Sequence, residues 1–169
     1  MYKVIDNFLP DEIFAPIYDC LMGDQYPWYY NNSVANKTDI NFYFTHILYE
    51  WEQGAPCSDF FEIIGTPILD RLPVPGIFWL NRFRTNMYTN QGKKIIHKFH
   101  IDDPKEKSIK VGLFSINTNN GYTEFKNGDK VESKANTLVL FEDIPHRSVT
   151  QTDTDLRVNL NFNYINYIN

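Results

Sequence analysis

The sequence contains few cysteines. Its only two, Cys20 and Cys57, form neither a CxxC motif nor any other metal-binding spacing. This excludes a cysteine-based metal site. We expect both thiols to be reduced and buried, and the alternative is a disulfide between them.

Long apolar runs are also absent. The longest ones, such as NTLVLF, extend over a few residues and are far shorter than a membrane span. The N-terminus has no basic segment followed by an apolar stretch, which is the pattern of a secretory signal. We therefore expect no membrane partner and, by default, a cytoplasmic location.

An excess of positive charge is missing as well. The 21 acidic residues outnumber the 16 basic ones, which gives a formal net charge of −5. Proteins that bind nucleic acid neutralise several phosphates with a basic surface. The charge balance therefore predicts no nucleic-acid partner.

Helical spacing of apolar residues is confined to the first part of the chain, about 1–75. One helix is predicted over residues 7–24, although Pro16 fits only if the helix begins near Ala15 or is kinked. A second helix is predicted from about Ser58, with an interruption near Gly65 and Pro67.

The remainder of the chain, about 76–169, consists of short β-type segments. With 13 Phe and 11 Tyr among 169 residues, the composition favours a globular, β-rich protein. Turn signals occur at Asn119–Gly121 and at Lys126–Asp129. The order of elements predicts one domain over 1–169 with an α+β, mainly β fold, in which helices pack on an antiparallel sandwich or barrel.

The segment HKFHIDD, residues 97–103, places two histidines and two aspartates within seven positions. If KIIHKFHID is a strand, its side chains alternate between two faces. His100 and Asp102 then share one face, whereas His97 and Asp103 point to the other. His100 and Asp102 are the favoured ligand pair, and His97 is expected to be packed or solvent-facing. The alternative is that His100 and Asp102 only form a hydrogen-bonded pair at a strand end.

A third ligand would complete a 2-His-1-carboxylate facial triad, the arrangement of open iron sites. Of the two remaining histidines, His46 lies among aromatic residues in FYFTHILYE and is typical of a protein core. His146 follows an apolar strand and Pro145, which places it at the mouth of a sheet. His146 is therefore the better third ligand, and the alternative is a turn histidine without a metal.

Two β-type segments carry polar side chains on one face only. In LRVNLNFNYI, alternation puts Arg157 and three asparagines opposite a row of apolar residues. Polar rows that face inward need an anion or hydrogen-bonding partners, so they predict a pocket. Arg157 could instead pair with Glu142 or Asp143 at the surface. The polar face of the other segment, RFRTNMY, comprises Arg84, Asn86 and Tyr88, and Tyr88 could equally be an ordinary packed tyrosine.

Taken in order, the triplet from His100 to Asp102, the later His146 and the following Arg157 resemble the ligand pattern of Fe(II)- and 2-oxoglutarate-dependent dioxygenases. The sequence looks like the prolyl-4-hydroxylase-like branch, particularly its short phage-encoded members. The resemblance is strongest in HKFHIDD, in residues 115–148 and in LRVNLNFNY. It extends more loosely to the leading helix and to YPWYYNN.

The resemblance implies a double-stranded β-helix, or jelly roll, with N-terminal helices packed on it. It implies that Fe(II) is bound by His100, Asp102 and His146. It further implies that Arg157 pairs with the distal carboxylate of 2-oxoglutarate, that Tyr88 donates a hydrogen bond to the same carboxylate, and that Asn86 lines the pocket.

The activity implied by the resemblance is hydroxylation of a C–H bond, with release of succinate and CO2 and with ascorbate as a candidate stimulant. A peptide or protein side chain is the expected substrate, with proline the first choice and a small metabolite the alternative. A phage-encoded enzyme would act in the host cytoplasm. The second hypothesis is a non-catalytic jelly-roll binding or structural module with a vestigial metal site. No sequence feature indicates the oligomeric state.

Overall fold

The computed structural model describes residues 2–34 and 39–167. Its first helix, α1, covers Asp11–Met22 and buries Ile17 and Leu21. The helix predicted over 7–24 is therefore present. The helix begins at Asp11 rather than near Ala15, so Pro16 lies inside it.

The second predicted helix is a π-helical turn, Phe61–Gly65, followed by a short α2, Thr66–Leu69. The change from π to α occurs at Gly65, where a Cβ atom would lie 2.7 Å from the Phe61 ring. The predicted interruption near Gly65 is thus present, and the packed Phe61 ring accounts for the glycine.

The prediction that residues 1–75 are helical is wrong for a large part of that region. A 3-10 turn at Trp51–Gln53 and four strands lie there in addition to the helices: β1 (Tyr2–Asp6), β2 (Tyr29–Asn31), β3 (Tyr43–Glu50) and β4 (Ala55–Pro56). Two of these strands pair with distant segments, β1 with residues 137–141 and β3 with residues 82–87. Local periodicity does not reveal such partners.

The β-rich region contains seven strands, each at a predicted β-type segment. One predicted segment does not form a strand. The exception is KIIHKFHID, which is not a strand and forms only two isolated bridges, between Ile96 and Val149 and between His100 and His146. The strands are β5 (Ile77–Thr89), β6 (Ile109–Ser115), β7 (Asn119–Phe125), β8 (Lys130–Ser133), β9 (Thr137–Glu142), β10 (His146–Val149) and β11 (Leu156–Tyr167).

One of the two predicted turns is present, and the other lies inside a strand. Residues 126–129 connect β7 to β8, and Gly128 has a φ of 93°, a conformation that favours glycine. Residues 119–121 lie inside β7 instead, where the pairing with β8 shifts register between Asn119 and Tyr122. The glycine there serves side-chain packing rather than a turn, as described below.

The strands form two antiparallel sheets. The larger sheet has the order β1-β9-β6-β11-β5-β3-β2, with β4 paired to β3, and the smaller sheet has the order β10-β7-β8. This α+β, mainly β arrangement is the predicted jelly roll, with α1 packed on it.

The larger sheet separates two apolar clusters. On its outer face, α1 and α2 pack against residues that include Phe83, Phe114 and Phe162. On its inner face, Val111 and Phe141 meet Phe125 of the smaller sheet. Beside this second cluster, the inner face of β5 and β11 is polar, and the candidate site lies there.

Neither cysteine is in a disulfide, and Cys57 is exposed rather than buried as expected. The helices of the described residues are too short or too polar to span a membrane.

Candidate active site

The cavity between the sheets is lined by the polar face of the β5–β11 pair. In the register of these strands, Arg157 pairs with Tyr88, Asn159 with Asn86, and Asn161 with Arg84. All six of these side chains line one cavity. The pocket is where strand alternation predicted it.

His100 and His146 line one end of this cavity, and Asp102 lies next to them. Each offers a ligand atom, and the three atoms lie within 4.8 Å of one another. The backbones of His100 and His146 hold each other in place through two hydrogen bonds, with N–O distances of 2.9 Å and 3.0 Å. The bridge brings the two imidazoles to a centroid distance of 4.5 Å.

Backbone carbonyls orient both imidazoles for metal binding. Nδ1 of His146 is 2.8 Å from the carbonyl oxygen of Ile144, and Nδ1 of His100 is 3.4 Å from that of Lys98. These contacts assign the ring proton to Nδ1 and leave Nε2 free to bind a metal ion. Burial, together with the neighbouring His146, lowers the pKa of His100 to about 4, so its ring is neutral at pH 7.

The Asp102 carboxylate is held by a set of donors behind it. Its Oδ2 accepts hydrogen bonds from Asn163, at 2.8 Å, and from Asn161, at 3.2 Å. Its Oδ1 lies 3.6 Å from Nη2 of Arg82 and 3.7 Å from Nε2 of His100. Burial disfavours the charged form, but Arg82 and Arg84 hold the pKa of Asp102 well below its usual range. The carboxylate is therefore ionised, with Oδ1 facing the imidazole.

Asp143 fixes the loop that carries Asp102. Its two carboxylate oxygens accept hydrogen bonds from the backbone N–H groups of Asp102 and Asp103, each at 2.8 Å. Asp143 lies three residues before His146, so it links the two chain segments that supply the ligands. The sequence analysis considered Asp143 only as a partner of Arg157.

Arg157 is buried at the other end of the pocket. Its Nε donates to Ser133 Oγ at 2.7 Å, and its Nη1 donates to Ser148 Oγ. Its guanidinium lies 5.5 Å from the centre of the Tyr88 ring. Within the described part of the chain, no carboxylate is at ion-pair distance from it. Glu142, one of the two surface partners considered for it, pairs with Lys110 instead. The alternative of a surface ion pair is therefore not observed.

Gly121 makes room for the Arg157 side chain. A Cβ atom at Gly121 would lie 2.7 Å from Cδ of Arg157 and 2.8 Å from Oδ1 of Asn119. The arginine therefore passes directly over this glycine. Neither Gly121 nor the serines 133 and 148 could be assigned to the site from spacing alone, because they belong to the other sheet.

Tyr88 and Asn86 line the cavity beside Arg157. Tyr88 is buried, which raises the pKa of its hydroxyl, and that hydroxyl is hydrogen-bonded to Ser148. The side-chain amide of Asn86 donates to Oδ1 of Asn159 at 3.1 Å.

The other two histidines lie outside the cluster. His97 is buried, and its Nδ1 is 3.2 Å from Oδ2 of Asp39. His46 is buried in β3 against the rings of Tyr26 and Phe60. The alternation argument rested on a strand that does not form, yet the separation of His97 from His100 that it predicted is observed.

The arrangement fits a divalent iron ion and a dicarboxylate. Two imidazoles and one ionised carboxylate on one side of a cavity match a facial triad, which leaves positions free for other ligands. A buried guanidinium without a carboxylate partner lies at the opposite end, where a planar fork can bind a carboxylate in a bidentate manner.

No family model matches this sequence, and neither does any curated protein. Solved structures do match its fold. One is the viral collagen prolyl hydroxylase from Paramecium Bursaria Chlorella virus-1, in complex with 2-oxoglutarate. It is 14% identical, with a TM-score of 0.57 over 96% of this chain and 94% of that chain.

Two further matches come from other organisms. A prolyl-4-hydroxylase from Pseudomonas putida is 16% identical, with a TM-score of 0.58 over 98% of this chain and 92% of that chain. A prolyl hydroxylase from Trichoplax adhaerens, in complex with a peptide fragment of hypoxia inducible factor, is 12% identical, with a TM-score of 0.61 over 97% and 83% of the respective chains. The structural neighbours of this chain are thus 2-oxoglutarate–Fe(II) oxygenases, prolyl hydroxylases among them, and the chain shares their fold.

Proposed function

We propose that this protein is an Fe(II)- and 2-oxoglutarate-dependent dioxygenase that hydroxylates a C–H bond. In the overall reaction, R–H, 2-oxoglutarate and O2 give R–OH, succinate and CO2, so that one oxygen atom enters each organic product. The observation that carries the proposal is the presence, around one cavity, of the His100, Asp102 and His146 cluster and of a buried Arg157 without a carboxylate partner among the described residues.

The residues of the chain have separate tasks in this proposal. His100, Asp102 and His146 hold Fe(II), which supplies the activation of O2 when it is bound. Arg157 binds the distal carboxylate of 2-oxoglutarate, and the Tyr88 hydroxyl donates to the same group. Asn86 lies next to the cosubstrate. Asp143 holds the backbone of Asp102 and so keeps the Asp102 carboxylate close to His146. The apolar cluster of Phe125 and Phe141 would limit the entry of water from its side of the pocket.

The proposed substrate is a peptide or protein side chain, with proline the first choice. The support is the shared fold with prolyl hydroxylases, one of which was solved with a peptide. The net charge of −5 disfavours a nucleic acid as the substrate. A small metabolite is the second candidate for the substrate.

Succinate release from 2-oxoglutarate, with Fe(II), O2 and ascorbate but no added substrate, tests the enzymatic proposal. We expect slow release by the wild type and none by His146→Ala. A matched control is His46→Ala, since His46 is a buried histidine outside the pocket. Release that is equal in the wild type and in His146→Ala would favour the alternative of a non-catalytic module.

Incubation of the same mixture with a proline-containing peptide library, and separately with oligonucleotides, tests the substrate class. The expected product is a peptide that has gained one oxygen atom by mass. Hydroxylated bases without any peptide product would contradict the proposal, and a hydroxylated free amino acid would assign the enzyme to small metabolites.

A further inference from the structure

The metal end of the cavity contains a second arginine that the proposed cosubstrate does not account for. Arg84 lines the cavity from β5, next to Asn161 on β11. Its Nε is buried without a hydrogen-bond partner. Within the described residues, its guanidinium makes one hydrogen bond, a long one of 3.5 Å from Nη1 to the Tyr43 hydroxyl. No described carboxylate lies at ion-pair distance from it.

Arg82, two residues earlier on the same face of β5, provides the comparison. Its Nε is also buried without a hydrogen-bond partner, but its Nη2 donates to Oδ1 of Asn163 at 2.8 Å and lies 3.6 Å from Oδ1 of Asp102. Both arginines favour the ionised form of Asp102, but of the two only Arg82 lies at ion-pair distance from it. Arg82 thus supports the metal ligands directly, whereas Arg84 faces the cavity without a described carboxylate at ion-pair distance.

A buried cation without an ion pair is costly, because burial removes its hydration. A ligand that places an anion against Arg84 would offset this cost. The Tyr43 hydroxyl next to the Arg84 guanidinium offers a second donor to the same ligand. Together they form a site suited to a carboxylate, whose two oxygens can accept from a guanidinium fork.

The second carboxylate of 2-oxoglutarate does not fill this site in the proposed arrangement. Arg84 lies four residues from Tyr88, the strand partner of Arg157, so the backbones of the two arginines are about 13 Å apart along the strands. With one carboxylate on Arg157 and the other at the metal ligands, the cosubstrate has no anion left for Arg84.

We propose that Arg84, assisted by Tyr43, binds a carboxylate of the molecule that is hydroxylated and so selects substrates with an anionic group near the oxidised carbon. This inference rests on the proposed function. The carboxylate has two sources, an acidic side chain or C-terminus of a peptide, or a free carboxylic acid such as an amino acid.

The first test needs no substrate and separates a binding role from a structural one. In the metal-free protein, Arg84→Met should leave the melting temperature unchanged or raise it, because it removes an unmatched cation. The matched variant Arg82→Met should lower the melting temperature, because it leaves Asp102 without its ion pair. An Arg84→Met protein as destabilised as Arg82→Met would show that Arg84 is structural, and this would overturn the inference.

The second test compares carboxylates with their neutral amides. The probes are L-proline and L-prolinamide, and two blocked peptides that contain Pro-Asp or Pro-Asn. Their binding to the anaerobic Fe(II) and 2-oxoglutarate complex is followed through the charge-transfer band, and their turnover through hydroxylated product. The wild type should favour the acid of at least one pair by about tenfold or more. The pair that responds identifies the source of the carboxylate.

The variants then assign the preference to Arg84. In Arg84→Met the preference for the acid should disappear, and Arg84→Lys should retain part of it, since lysine keeps the charge without the fork. Exposed Arg71, whose guanidinium contacts only the carbonyl of Pro67 among the described residues, supplies the control variant Arg71→Met, which should behave as the wild type.

Measurements on 2-oxoglutarate itself distinguish a wrong role for Arg84 from a wrong proposal of a dioxygenase. The affinity for 2-oxoglutarate should change by less than about twofold in Arg84→Met, whereas a tenfold loss would mean that Arg84 binds the cosubstrate and would overturn the inference. Equal binding of acids and amides by the wild type, or binding of neither, would overturn it as well. Absence of any charge-transfer band in the wild type would instead refute the proposed dioxygenase.

Discussion

The two faces of the β5–β11 pair differ in almost every physical respect, although they belong to the same two strands. On the outer face, the rings of Phe83 and Phe162 stack at 5.3 Å, and the Phe162 ring fills the space above Gly112. On the inner face, Nε of Arg84 and Oδ1 of Asn161 are buried without hydrogen-bond partners. The outer face is saturated with contacts, whereas the inner face still has unmet hydrogen-bonding capacity.

This difference teaches how one pair of strands can serve both stability and binding. Strand alternation sends consecutive side chains to opposite faces, so each face can be substituted without direct contact with the other. Changes on the inner face should therefore alter ligand binding with little loss of stability. Changes on the outer face should lower the free energy of unfolding with little effect on the affinity of a correctly folded protein.

The largest expected effect concerns the metal ligands at the end of the inner face. Alanine at His100, Asp102 or His146 should abolish the visible charge-transfer band that anaerobic Fe(II) and 2-oxoglutarate produce, because two remaining ligands hold iron too weakly. The melting curve should stay cooperative. His97→Gln is the control, since His97 contacts Asp39 instead, and loss of iron from a folded His97→Gln protein would show that the ligand assignment is wrong.

The next effect concerns the outer face. Phe162→Ala should lower the free energy of unfolding by about 3–5 kcal/mol, the range measured for large buried aromatic residues, as determined by urea denaturation. Phe162→Leu should cost less, because it leaves a smaller cavity. The affinity of the folded fraction for 2-oxoglutarate should stay the same. A Phe162→Leu protein that is stable but binds no cosubstrate would contradict the separation of the two faces.

Arg157 is expected to matter for the cosubstrate rather than for iron. Arg157→Ala should weaken 2-oxoglutarate binding by about 100-fold, because a desolvated carboxylate loses its forked partner. Arg157→Lys should restore part of the affinity. Titration of the charge-transfer band measures both values. Unchanged affinity in both variants would mean that another cation, with Arg84 the first candidate, binds the distal carboxylate.

The smallest predicted effect is that of a substitution at Gly121, in the smaller sheet. Gly121→Ala would place a Cβ atom 2.7 Å from Cδ of Arg157 and so displace the guanidinium without removing it. We expect 2-oxoglutarate binding to weaken by about tenfold, with Fe(II) binding retained. The control is Gly128→Ala in the exposed turn, which has strained backbone but no contact with the pocket. Full affinity in Gly121→Ala would show that the arginine tolerates the displacement.

Some features of the site were predictable from sequence because they depend on local order. Alternation along LRVNLNFNYI and RFRTNMY places Arg157 and Arg84 on inward faces, and the observed register agrees with it. Other features were not predictable in this way. His97 and Asp39 are 58 residues apart, and the bridge between His100 and His146 replaces the strand that the local pattern predicted.

The sequence by itself thus determined the order of elements, the two-faced character of the central strands and the chemical types of the candidate ligands. These properties follow from residue periodicity and from side-chain chemistry, which are local. Only the tertiary structure decided that Asp143 holds the loop of Asp102, that Gly121 admits Arg157 and that Nε of Arg84 is left without a hydrogen-bond partner. Each of these depends on which distant segments pair, and long-range pairing is set by the packing of the whole sheet rather than by any single segment.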